Sequence, residues 1–93
     1  DGLTVKIITV NRQVPDIQCD SVRIPVSDSV NGEFSGYYGI KKGHANTIFS
    51  LSAGVVTAYT GDKLILSVET SDGFGIIEDN TVRLTVNSIK ENQ

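Results

Sequence analysis

Cysteine, histidine, cations and long apolar runs are all scarce in this 93-residue chain. Cys19 is the only cysteine, so no internal disulfide can form. Small secreted domains lean on such bridges because their cores are small, and a reducing compartment fits a single thiol better. No stretch approaches the ~20 apolar residues of a membrane-spanning helix. No leader is visible, and because the sequence opens on Asp1 rather than methionine this says little about targeting. Eight Lys and Arg stand against eleven Asp and Glu, a net charge of −3. That balance speaks against nucleic-acid binding, which needs a broad basic face.

Chemistry is sparse for the same reason. His44 is the only histidine, and nothing around the serines resembles a nucleophile elbow. Zinc needs three or four ligands, and Cys19 with His44 supplies two soft ones. The acidic pairs Glu69/Asp72 and Glu78/Asp79 lack the spacing of a calcium loop and read as solvated turn carboxylates. Gly73-Phe74-Gly75 has neither a third glycine nor a following helix, so it is no dinucleotide fingerprint. Its glycines fit a bulge or a close backbone approach. No catalytic residue, metal or cofactor is expected.

What the chain does have is alternation. Leu3, Val5 and Ile7 fall on one face of a run, as do Val22, Ile24 and Val26, then Leu64, Leu66 and Val68, then Val82, Leu84 and Val86. That is the period of a half-buried strand, and branched side chains suit a pleated surface. Asn11-Arg12-Gln13, Asn31-Gly32, Gly61-Asp62, Ser71-Asp72-Gly73 and Glu78-Asp79-Asn80 punctuate the runs as turns. Helix signals are nearly absent, and Ala45 to Ser52 reads as a strand. The pattern predicts an all-β fold: a two-sheet antiparallel β-sandwich of about eight to ten short strands. Residues 1–89 form one domain, and 90–93 a polar tail. Ile8, Val10 and Ile65 fall opposite the core-facing positions and are candidates for an outer apolar patch.

One stretch is unlike the rest. Gly36-Tyr37-Tyr38-Gly39-Ile40-Lys41-Lys42-Gly43-His44-Ala45-Asn46 holds two of the three tyrosines and the histidine. So many glycines read as a shaped loop, and amphipathic tyrosines suit a contact surface. By residue type alone the chain is an interaction module.

The order of these motifs resembles the N-terminal β-sandwich of the epsilon subunit of F-type ATP synthases, called delta in mitochondria. That family carries Gly-x-x-Gly-Ile-x-Pro-Gly-His-Ala-Pro, and Gly36, Gly39, Ile40, Gly43, His44 and Ala45 fall in register with it. Gly54 matches a later glycine, Ser71, Gly73 and Phe74 a Ser-Gly-Gly-Phe, and Asn80 and Val82 an Asn-x-Val. The resemblance covers essentially the whole chain. It implies a non-catalytic central-stalk subunit that packs on the gamma shaft and sits on the ring of membrane c subunits, passing torque between them. It implies no cofactor, no direct membrane insertion, and a peripheral place on the cytoplasmic face of a bacterial membrane or the matrix face in mitochondria. Tentative contact residues are Glu33, Tyr37, Tyr38, Lys41, Lys42 and His44. Gly36, Gly39, Gly43 and Gly54 are read as loop-shaping.

Asp72 and Ile76 replace a usual glycine and glutamate of the family, and the other departures cluster. Lys42 and Asn46 stand where the family usually has proline, Tyr37 where bacterial members are often acidic, and Ser29 to Ser35 reads as an insertion. The family's C-terminal helical hairpin has no counterpart in these residues. A paralogue in an ATPase-like assembly with a different base is one alternative. An immunoglobulin-like adhesive module is a more remote one.

Overall fold

Branched apolar side chains at alternate positions, interrupted by turn residues, give ten strands in a computed structural model that describes residues 2–10, 12 and 14–91. Asp1, Asn92, Gln93 and, from the expected turn at Asn11-Arg12-Gln13, Asn11 and Gln13 lie outside the described residues. The strands are β1 (Leu3–Ile8), β2 (Ile17–Cys19), β3 (Ser21–Ser27), β4 (Phe34–Lys41) and β5 (Thr47–Leu51), then β6 (Gly54–Thr60), β7 (Lys63–Thr70), β8 (Gly73–Glu78), β9 (Thr81–Val86) and β10 (Ile89–Glu91). No described residue is helical.

The two expected sheets are joined as one curled path, β10-β7-β6-β3-β5-β8-β9-β1-β2. β3 makes the corner. Its residues Ser21, Arg23 and Val22 pair with β6, while Val26 pairs with Leu51 of β5. β4 runs along the other edge of β3 and pairs with nothing else among the described strands. Pairing is antiparallel except between β1 and β9, which run parallel with Val5 opposite Val82. Alternation reports faces and not strand direction. A parallel pair needs a long connection, which the intervening chain supplies.

The core is the set of inward faces. Leu3 and Val5 of β1, Val22 and Ile24 of β3, Val56 and Ala58 of β6, and Val82 and Leu84 of β9 are all buried. Cys19 joins them with no exposed surface. Tight turns hold the hairpins. Gly61 takes φ 59° between Thr60 and Lys63, and Asp79 and Asn80 take φ 50° and 56° between Glu78 and Thr81. Positive angles at both central residues suit the right-handed twist of a two-residue hairpin, and Asp and Asn tolerate them best after glycine.

The glycines around Phe74 prove to mark close approach. Phe49 of β5 lies opposite Gly75 of β8, and its ring fills the space above that backbone: a Cβ at Gly75 would stand 2.2 Å from Phe49 Cζ.

Three expectations are corrected. β10 takes in Lys90 and Glu91, pairing them with Glu69 and Val68 of β7, so the polar tail does not begin at residue 90. Their side chains are exposed, and polarity alone cannot separate an edge strand from a tail. Ile65 does not share a patch with Ile8 and Val10. It packs against the core beside Val14 and Ile17, while exposed Ile8 and Val10 neighbour Phe74. Finally, Gly36 to Lys41 form most of a strand and not a loop. Only Lys42 to Asn46 turn.

Candidate docking surface

β4 spans roughly 26 Å at ~3.3 Å per residue, so the candidate contact residues are spread along a line. Glu33 lies at one end, in the β3–β4 loop. Asp28 shapes that loop: its Oδ1 accepts from Val30 N–H at 2.7 Å, and its carbonyl from Gly32 N–H at 2.8 Å. Glu33 N–H donates to Asn31 Oδ1 at 2.9 Å. The loop is thus locally closed, with Val30 at its tip 93% exposed. A register shift between Val26 and Ser27 adjoins it, and Gly36, opposite Val26, takes φ 148°.

Tyr37 and Tyr38 project to opposite faces, since neighbours on a strand alternate. Tyr38, opposite Ile24, is on the core-facing side but stands clear of the core at 60% exposure. Tyr37, opposite Pro25, is on the outer side. The Arg23 guanidinium carbon sits 4.3 Å from the Tyr37 ring centre, a cation–π distance. Phe34 meets the same ring edge-on at 5.4 Å. Gly54 forms the floor: a Cβ there would come within 3.0 Å of Pro25 and 3.4 Å of the Tyr37 hydroxyl. Tyr37 is therefore held by contacts within the domain, which lowers the entropy such a ring would lose in any further contact.

Lys41, Lys42 and His44 lie at the far end. Gly43 takes φ 86°, and its N–H donates to Asn80 Oδ1 at 2.8 Å, tying this turn to the β8–β9 hairpin. His44 Nδ1 lies 2.8 Å from the Ala45 carbonyl. Gly39, read as loop-shaping, is mid-strand with an ordinary backbone angle and open space above it. Two residues of this surface escaped the sequence reading. Arg23 alternates with core-facing Val22 and Ile24 as any outward strand residue does, and Phe34 lies within the Ser29 to Ser35 stretch; only the bulge brings Phe34 to the Tyr37 side. Among the described residues no group of three His, Cys, Asp or Glu could hold a metal ion. No described helix is long and apolar enough to cross a membrane.

The family described as "ATP synthase, Delta/Epsilon chain, beta-sandwich domain" matches residues 2–92. The chain belongs to that family. It is 33% identical to the ATP synthase epsilon chain of Synechococcus elongatus over 94% of its own length and 58% of that protein. It is 32% identical to the chloroplastic ATP synthase epsilon chain of Emiliania huxleyi over 97% of its length and 63% of that protein. It thus spans about three-fifths of these relatives. Its fold is similar to a chain in the cryo-EM structure of the Euglena gracilis mitochondrial ATP synthase (OSCP/F1/c-ring), with TM-score 0.78 and 17% identity over 97% of this chain and 53% of that one. A chain of the Tetrahymena thermophila mitochondrial ATP synthase central stalk/c-ring superposes with TM-score 0.72 and 12% identity, over 98% and 67% respectively. As a delta/epsilon β-sandwich, the domain places the family's glycine–histidine stretch on β4 and the turn after it.

Proposed function

We propose that this domain is a non-catalytic rotor element of the central stalk of a rotary ATP synthase. In this reading it joins a gamma-like shaft to the ring of membrane c subunits during proton-driven synthesis or ATP hydrolysis. The family match across residues 2–92 carries the reading. The names of the relatives and the central-stalk assemblies that hold the similar folds support it. The domain would lie peripherally on the membrane face that carries the catalytic head, cytoplasmic in a bacterium or facing the matrix in a mitochondrion.

A torque-passing element must be stiff and must hold its partners by apolar contact with a polar rim. All ten strands are hydrogen-bonded into one curled sheet, and β4 with its loop offers Phe34, Tyr37, Tyr38 and Val30, flanked by Glu33, Lys41, Lys42 and His44. The test is co-purification of gamma and ring subunits with tagged wild-type chain and with Tyr37→Ala and Tyr38→Ala made separately. Because the two rings face opposite ways, each substitution should weaken retention of a different partner while thermal unfolding stays cooperative. Undiminished recovery of both partners with both variants would sink the assignment of this surface. Recovery of a different base protein in place of a c subunit would favour a paralogue, a reading encouraged by the extended loop before β4.

A further inference from the structure

An open trough of about 520 Å³ runs over the outer face of β3 and β4. Its lining includes Arg23, Lys41, Lys42 and His44, and no carboxylate. Its floor is Gly39, where the missing side chain leaves a gap opposite Arg23, and Tyr59 lines it too. Neither ion pair formed among the described residues, Lys6 with Asp16 and Arg12 with Glu91, draws on these cations. Asp20, the carboxylate next in sequence to the lining, accepts a hydrogen bond from Gly61 N–H at 3.0 Å. Three of the chain's eight Lys and Arg thus gather at one trough, leaving five against eleven carboxylates elsewhere. Like charges lining one trough repel when the face is bare, and a partner's negative charge relieves that repulsion.

We infer that the Arg23–Lys41–Lys42 trough receives an acidic, extended segment of a partner polypeptide. The inference rests on the reading of β4 as a docking strand and adds the partner's chemistry at its outer face. A peptide fits better than a compact anion. The cations are contributed by two strands and a turn, Arg23 on β3, Lys41 on β4 and Lys42 just after it, and the trough they line is open. Arg23 is braced on Tyr37 and presents a fixed fork to a carboxylate.

The test titrates the full 93-residue chain with a hexaglutamate peptide, and separately with inorganic pyrophosphate, following amide resonances by NMR. Hexaglutamate should shift Arg23, Gly39 and Lys41 to His44, and its affinity should fall several-fold as salt rises from about 50 to about 300 mM. Gly39→Glu places a carboxylate at the floor, where a Cβ meets nothing within 4 Å, and should weaken the peptide about tenfold, the equivalent of ~1.4 kcal/mol. Lys42→Gln, on an exposed turn, is the companion variant that holds the test open should Gly39→Glu misfold; it should weaken the peptide by a smaller factor. Shifts elsewhere, or wild-type affinity in the folded variants, would overturn the inference. So would pyrophosphate binding as tightly as the peptide, which would make the trough a small-anion site. Titration reads the trough alone and co-purification reads docking, so the two failures are distinguishable.

Discussion

Asn80 holds Gly43 across 37 residues of sequence: its Oδ1 accepts the Gly43 N–H at 2.8 Å, while its own carbonyl accepts the Thr4 N–H at 3.0 Å. One residue therefore fixes the turn after β4, the start of β1 and, through its φ of 56°, the β8–β9 hairpin. The glycine–histidine motif and the Asn-x-Val motif, far apart in sequence, are two halves of one contact.

Replacing Asn80 separates its two roles. Asn80→Ala loses the bond, worth ~1 kcal/mol, and strains the left-handed backbone by about 1–2 kcal/mol. Asn80→Gly loses only the bond. Urea unfolding should rank wild type above Gly above Ala; equal losses for the two variants would mean that the backbone angle carries no cost.

Phe49 and Gly75 should be strongly non-additive. Gly75→Ala drives a methyl into the Phe49 ring and should cost about 2–3 kcal/mol. In a Phe49→Leu background the same change should cost less than half as much. A double-mutant cycle measures the coupling, and additivity would show that the ring does not sit over Gly75.

Thr70 is buried at 5% exposure, and its hydroxyl has no hydrogen-bond partner among the described residues. Thr70→Val keeps the shape and removes an unsatisfied polar atom, so it should stabilise the domain by about 1 kcal/mol. A lower urea midpoint for the variant would contradict this.

Burial pushes the Cys19 thiol up from its ordinary pKa, with the neighbouring Asp20 charge adding to the rise. The folded state therefore keeps the proton that the unfolded chain releases near pH ~8.5. Cys19 supports stability fully below that pH, and the support is lost as pH rises through the folded-state value. Cys19→Ala should flatten the alkaline fall of the urea midpoint. A thiol reagent at about pH 8 should modify the folded chain far more slowly than the unfolded one; equal rates would place the thiol at the surface.

Period-two alternation in Leu3 to Ile7, Val22 to Val26 and Val82 to Val86 was enough to determine an all-β chain and its core-facing residues. Burial of one face leaves no other arrangement for such a pattern. The turns at Gly61-Asp62 and Asp79-Asn80 were legible because positive backbone angles restrict residue type. Part of the family's glycine spacing has the same cause: Gly36 and Gly43 take positive φ and Gly54 lies close under Pro25 and Tyr37, whereas Gly39 has open space above it.

Pairing across long separations was decided by the tertiary structure alone. Alternation names faces but not neighbours, so neither the parallel β1–β9 pair nor the corner at β3 could be read from it. A glycine-rich run looks like a loop until a partner strand straightens it, as β3 does for β4. The bulge at Val26/Ser27 brought Phe34 to Tyr37, and strand pairing brought Arg23 beside Gly39. The aromatic cluster on β4 and the cationic trough are properties of which strands lie side by side, and that choice is made by the packing of the whole core.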